Sequence, residues 1–286
     1  MASPFASIKR NATRRLGTSD SDIKHMESLG LEHFVGSTNV FYYGRHLKGS
    51  TPSKPILVLL HGYPQSSFMW RHVIPLLPTD VPLFIPDIPG YGRSSPLRIP
   101  HNKVNQGKAI LLALQSVLKP SEAPISLIIC GHDRGARICH RLAVDDNNSA
   151  FSILGSILLD IVPTLTQWES FSDPIASASS FHWSFLANPS IAVPMISIQG
   201  GDIFMSTCIK RWLGKAEKSV ELFSANDAVQ IYAQFARSGN VIQATCDDYR
   251  GGAEEDVEQQ KSDQVEGRKI DSDVLVVYSE SYLGKR

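Results

Sequence analysis

Four near-continuous apolar runs constrain this chain more than any other feature: Pro55–His61 (PILVLLH), Pro82–Asp87 (PLFIPD), Ile125–Cys130 (ISLIIC) and Ile153–Ile161 (ILGSILLDI). Short runs without polar alternation read as strands buried on both faces. Between them, Phe68–Leu77, Asn105–Leu118 and Arg134–Val144 carry apolar residues three and four apart, the helical period. Strand, helix, strand order with buried strands predicts a mostly parallel sheet with helices on both faces. Phe34–Tyr43 reads as a β-rich pair of edge segments ahead of it. After Pro163 the pattern changes: residues 164–265 are helix-like, and Asp273–Tyr278 (DVLVVY) reads as one more buried strand. A helical block between two strands of one sheet predicts a cap over the carboxyl edge, where such folds place ligands. The expected organisation is an N-terminal extension over 1–32, a first core part over 33–163, a cap over 164–270 and the returning core strand within 271–286.

Composition narrows the function classes. The 286 residues suffice for one large α/β domain. Twenty-eight Lys and Arg balance 28 Asp and Glu, so there is no electrostatic case for a nucleic-acid partner. Apolar runs such as Ile56–Leu60 are too short to span a bilayer, so no membrane partner is expected. Cys130, Cys139, Cys208 and Cys246 fit neither a zinc module nor a disulfide framework, which points to a reducing compartment. Met1–Thr18 contains Lys9, Arg10, Arg14 and Arg15 and no acid. It reads as a flexible basic tail on a cytoplasmic protein, with a mitochondrial transit peptide as the alternative.

The sharpest local signal is Gly131-His132-Asp133-Arg134-Gly135, between the third apolar run and a helix. Glycines at 131 and 135 permit a tight strand-to-helix turn that exposes the middle residue. This is the pattern of a nucleophile elbow with Asp in place of Ser, and the helix N-terminus favours an anion there. The alternative is an Asp that only caps a helix. His61-Gly62-Tyr63-Pro64 follows the first buried strand, where a loop of a hydrolase supplies one oxyanion N–H from Tyr63, the second coming from Arg134. An ordinary Gly-Pro turn is the alternative.

With the segments HGYPQSSFMWRHVIPLL, PDIPGYGRSS, GHDRGARICHRLA, LLDIVPTLTQWE, FHWSFLANP and CDDYRGGAEEDVEQQKSDQVEGRKI in this order, the chain resembles the α/β-hydrolase superfamily. Within it the resemblance is to the fluoroacetate and haloacetate dehalogenases, with epoxide hydrolases as near relatives, and it runs from about residue 33 to 280. The resemblance implies an α/β-hydrolase fold with a helical cap. It implies that Asp133 displaces halide to form an enzyme ester, that Arg134 and Arg137 clamp the substrate carboxylate, and that His182, Trp183 and Tyr249 cradle the leaving group. It assigns Asp160 as the charge-relay acid. The expected ligand is a small-molecule carboxylate, a haloacetate or an acid bearing an epoxide. No organic cofactor and no metal are expected. Relatives of this type are encoded in fungal toxin-biosynthesis clusters, which makes secondary metabolism one expected setting. An acid at the end of an apolar strand needs a partner, which supports a role for Asp160 without the resemblance.

The pattern breaks at one point. The family's general base is a histidine after the final strand, and here the last histidine is His182. By comparison, a closing helix, strand and helix of roughly 45 residues are missing after Asp273–Tyr278. Two consequences are expected: an apolar sheet edge at that strand, and an ester that forms but is opened slowly for want of an activated water. The rival expectation is a catalytically impaired homologue, a non-catalytic binder or a degenerate copy.

Overall fold

The computed structural model describes residues 20–118, 123–146, 148–280 and 283. The basic segment containing Lys9, Arg10, Arg14 and Arg15 lies outside the described residues. Chain order is α1 (Ser21–Ser28), β1 (Glu32–Val35), β2 (Phe41–Arg45), β3 (Ile56–Leu60), β4 (Leu83–Pro86), α2 (Lys103–Gln115), β5 (Ile125–His132), α3 (Arg134–Asp145) and β6 (Phe151–Leu159). Nine cap helices follow: α4 (Thr164–Glu169), α5 (Pro174–Ser179), α6 (His182–Leu186), α7 (Pro189–Gln199), α8 (Gly201–Trp212), α9 (Glu217–Ser224), α10 (Ala228–Phe235), α11 (Gly239–Ala253) and α12 (Glu255–Glu266). Strand β7 (Asp273–Val277) returns the chain to the sheet.

The seven strands lie in the order β1-β2-β4-β3-β5-β6-β7. The β1–β2 and β2–β4 pairs are antiparallel and the other four parallel, so the sheet is mostly parallel. Alternation along β3 shows why its run carries no polar residue. Ile56, Val58 and Leu60 point into one core with Ile110, Leu114 and Ile138, whereas Leu59 points into a second with Met26, Phe68 and Trp70. At β3 both faces are covered, as its apolar run requires. Met26 is fully buried, so α1, within the 1–32 stretch, packs against the sheet.

Phe68–Leu77 departs from expectation. It forms two 3-10 segments, Ser67–His72 and Ile74–Leu76, in place of an α-helix. Pro75 sits within the second segment and has no N–H to give to a preceding turn. The apolar residues still reach the core, since Phe68, Trp70 and Ile74 are buried.

β7 is the last strand of the sheet among the described residues, and Val274, Leu275, Val276 and Tyr278 are exposed. Among the described residues β7 therefore lies at the sheet edge with its apolar side chains open to solvent, and not buried as its apolar run predicted.

Candidate active site

Three parallel strands end side by side and deliver their next residues to one edge. β3 leads to Tyr63, β5 to Asp133 and β6 to Asp160. Asp133 has φ 47°, an uncommon conformation for a residue with a side chain. The two flanking glycines permit it. A Cβ on Gly131 would stand 2.4 Å from the Gly135 carbonyl carbon, and one on Gly135 would stand 2.4 Å from the His61 carbonyl oxygen. Gly135→Ala is therefore expected to destabilise the fold by about 3 kcal/mol, because the obstacle is backbone that cannot rotate aside. A urea titration reads that loss.

The Asp133 side chain makes no capping hydrogen bond to α3. Its Oδ2 accepts the Tyr63 backbone N–H at 2.9 Å. One carboxylate oxygen is thus held by the loop after β3.

Asp160 also has positive φ, and its N–H donates to the Val277 carbonyl at 2.8 Å. Its Oδ1 accepts the Ser279 N–H at 2.8 Å and its Oδ2 the Ser279 hydroxyl at 3.4 Å. The partner expected for this acid is Ser279, in the turn after β7.

The cap brings its aromatic residues onto the same edge. Tyr249 of α11 lies 5.3 Å from the Tyr63 ring, and His182 of α6 lies 6.1 Å from it in a stacked arrangement. Trp183 packs edge-on against Tyr249 at 5.5 Å. The Arg134 guanidinium carbon lies 4.3 Å from the Tyr249 ring centre, and that of Arg137 lies 4.6 Å from the Trp183 ring. All the residues singled out around Asp133 therefore adjoin one another, and Arg137 is buried rather than solvated. Asp160 sits at the neighbouring strand end.

Polar atoms of this group that are buried without a hydrogen-bond partner include Arg134 Nη1, His182 Nδ1 and Tyr249 Oη. Buried donors are normally paired, so Arg134 Nη1 and Tyr249 Oη without partners mark a place for an acceptor. Arg137 is more engaged, with Nη1 donating to the Val162 carbonyl at 2.8 Å and to Thr164 Oγ1 at 3.3 Å. Burial pushes the Tyr249 phenol up, so it stays a proton donor at neutral pH.

Burial lowers His182 to about 4 and His140 to about 4, so both stay neutral near pH 7. Each ordinarily titrates at 6.5. The unfolded chain therefore binds more protons between those values, and stability falls as pH drops from 6.5 toward 4. The expected loss is on the order of 2 kcal/mol per histidine. Urea midpoints across that range check it, and His182→Gln should remove part of the slope.

Sequence reasoning missed Asp248, Lys103 and Tyr91. Asp248 on α11 is fully buried and accepts from Arg134 Nε at 2.8 Å, Arg134 Nη2 at 2.9 Å and Tyr91 Oη at 2.6 Å. Lys103 Nζ also donates to it. Lys103 is tied again to the cap through its N–H, which donates to Asp256 Oδ1 at 2.9 Å. One signal was present: Ile242, Thr245, Asp248, Tyr249 and Gly252 share the buried stripe of a helix, which places a charge inside.

Comparison with known proteins bears on the family and the fold. The description "Alpha/beta hydrolase family" matches residues 57–260. The chain is 31% identical to a fluoroacetate dehalogenase of Burkholderia sp. over 225 residues, 78% of this chain and 70% of that protein. It is 28% identical to a soluble epoxide hydrolase of Corynebacterium sp. (strain C12) over 205 residues, 71% of this chain and 67% of that one. Among solved structures, a candidate epoxide hydrolase from Pseudomonas aeruginosa superposes with a TM-score of 0.74 at 25% identity, covering 87% of this chain and 79% of that chain.

Proposed function

Because the chain belongs to the α/β-hydrolase family, in the group of the fluoroacetate dehalogenase and epoxide hydrolases, we propose that it is a hydrolase working through an ester on Asp133. The substrate class is a small carboxylate with a displaceable halide or an epoxide. One observation carries the reading most directly. The Asp133 carboxylate, free of any capping bond, has one oxygen on the Tyr63 N–H, and Arg134 Nη1 and Tyr249 Oη in the surrounding group are buried donors without a partner.

In this reading the free Asp133 oxygen attacks the carbon, the new O–C bond forms, and the carbon–halogen bond breaks with its electron pair leaving on the halide. His182, Trp183 and Tyr249 receive that anion. On an epoxide the C–O bond breaks instead, and the Tyr249 hydroxyl supplies the proton the alkoxide needs. Arg134 and Arg137 hold the substrate carboxylate and so orient the neighbouring carbon for in-line attack. The ester carbonyl then rests on the Tyr63 N–H, where a tetrahedral intermediate would find its donor. Opening that ester requires a water that gives its proton to a general base, which Asp160 would orient; the described residues place no histidine on Asp160, so the reading commits to ester formation.

One observation favours a second reading, a binder or a chain that reacts once. The Asp160 carboxylate is held by Ser279, and no described histidine hydrogen-bonds to it.

Intact-protein mass spectrometry with chloroacetate, and separately with an epoxy fatty acid, tests the proposal. One added substrate residue, mapped to the peptide containing Asp133, or accumulation of hydrolysed product, supports it. An unmodified mass with no product from a folded protein overturns it in favour of the binder.

A further inference from the structure

We infer that Asp248, braced by Lys103 and Tyr91, sets how Arg134 meets the ligand carboxylate; the inference rests on the substrate class proposed above. An arginine offers its nitrogens in a planar fork, and a free fork grips a carboxylate through two of them. Here Asp248 takes Nε at 2.8 Å and Nη2 at 2.9 Å, and the Asp248 carbonyl takes Nη2 again at 2.7 Å. Nη1 is left as the nitrogen of that fork without a partner. The ligand carboxylate therefore meets Arg134 end-on through one nitrogen, beneath the Tyr249 ring that lies over the guanidinium.

The brace makes this geometry rigid. Asp248 Oδ2 accepts Tyr91 Oη at 2.6 Å, and Asp248 Oδ1 accepts Lys103 Nζ, which also donates to Gln106 Oε1 at 3.2 Å. Lys103 pairs with both Asp248 and Asp256, the latter at 3.6 Å, so the two cations and two carboxylates of the cluster balance and what Asp248 gives Arg134 is a fixed orientation. The close approach depends on Gly252, where a Cβ would stand 3.1 Å from Arg134 Nη2. Three core residues thus meet one cap carboxylate, and the carboxylate-binding nitrogen is aligned only when the cap is seated. Asp248 is a positioning residue: it acts through Arg134.

The test compares chloroacetate with its uncharged analogue chloroacetamide. A residue that positions the carboxylate clamp affects the first and spares the second, whereas general damage to the fold affects both. For Asp248→Asn, alkylation by chloroacetate should fall by about 100-fold, the scale of a misplaced binding group, with chloroacetamide within about twofold of the parent. Tyr91→Phe keeps the ring and loosens one bond of the brace, and should give the same split at about threefold. It decides the matter if Asp248→Asn does not fold. Equal losses with both reagents, or no change with either, overturn the inference.

Titration of tryptophan fluorescence with chloroacetate separates this from failure of the nucleophile reading. If the parent protein binds chloroacetate but is alkylated by neither reagent, the ester mechanism is wrong. The Asp248 inference is then decided by whether Asp248→Asn weakens binding at least tenfold. A parent that neither binds nor reacts overturns both.

Discussion

Asp133→Asn is expected to leave the fold intact and to lower ester formation and halide release by a factor on the order of 10,000 or more, as loss of a nucleophile does in other hydrolases. The amide keeps an oxygen to accept the Tyr63 N–H, which the carboxylate now accepts at 2.9 Å, so the strained turn retains its partner. What it loses is the negative oxygen that attacks. Ligand affinity should move the other way. One negative charge beside the bound carboxylate disappears, and Arg134 Nη1 and Tyr249 Oη remain as donors. Halide electrode traces and intact mass read the chemistry; fluorescence titration reads the binding. Loss of chemistry with binding retained identifies a nucleophile. Loss of both would identify a structural acid, and unchanged chemistry would move the reaction to another residue.

The sheet was legible because its physics is local. A strand buried in the sheet interior must be largely apolar, and the runs over β3, β4, β5 and β6 each announced themselves within one or two residues; the run over β7 also marked a strand, but one whose side chains are exposed. The elbow was legible for a related reason, since only glycine fits where a Cβ would stand within 2.6 Å of backbone on both sides of Asp133. Phe68–Leu77 was misread as an α-helix because its burial pattern is satisfied equally well by tighter turns, and Pro75 decides between them. The Asp248 cluster was not legible for a different reason. Its members stand at positions 91, 103, 134 and 248, and nothing local tells a buried aspartate which cations will reach it. The pairing is a consequence of the cap closing on the core, so it appears only in three dimensions.

Asp248→Ala should therefore be the most destabilising single change in the site, by about 4 kcal/mol, since it leaves Arg134 and Lys103 buried without their common counter-ion. For a chain of this size that corresponds to a fall in Tm on the order of 10 °C. Glu258→Ala removes an exposed pair with Lys261 and should change stability by less than about 0.5 kcal/mol, so burial rather than the count of ion pairs decides the outcome. Acid titration gives an independent check on the cause. Burial alone would raise the Asp248 carboxyl, but Arg134 and Lys103 more than reverse that and hold it well below its ordinary 3.8. A depressed carboxylate contributes stability above its unfolded value and loses it as pH falls through the folded one. The gap between parent and Asp248→Ala should thus stay constant from neutral pH down to about 4 and close only in stronger acid. A gap that closed between pH 7 and 5 would mean that Asp248 is not the counter-ion of Arg134 and Lys103.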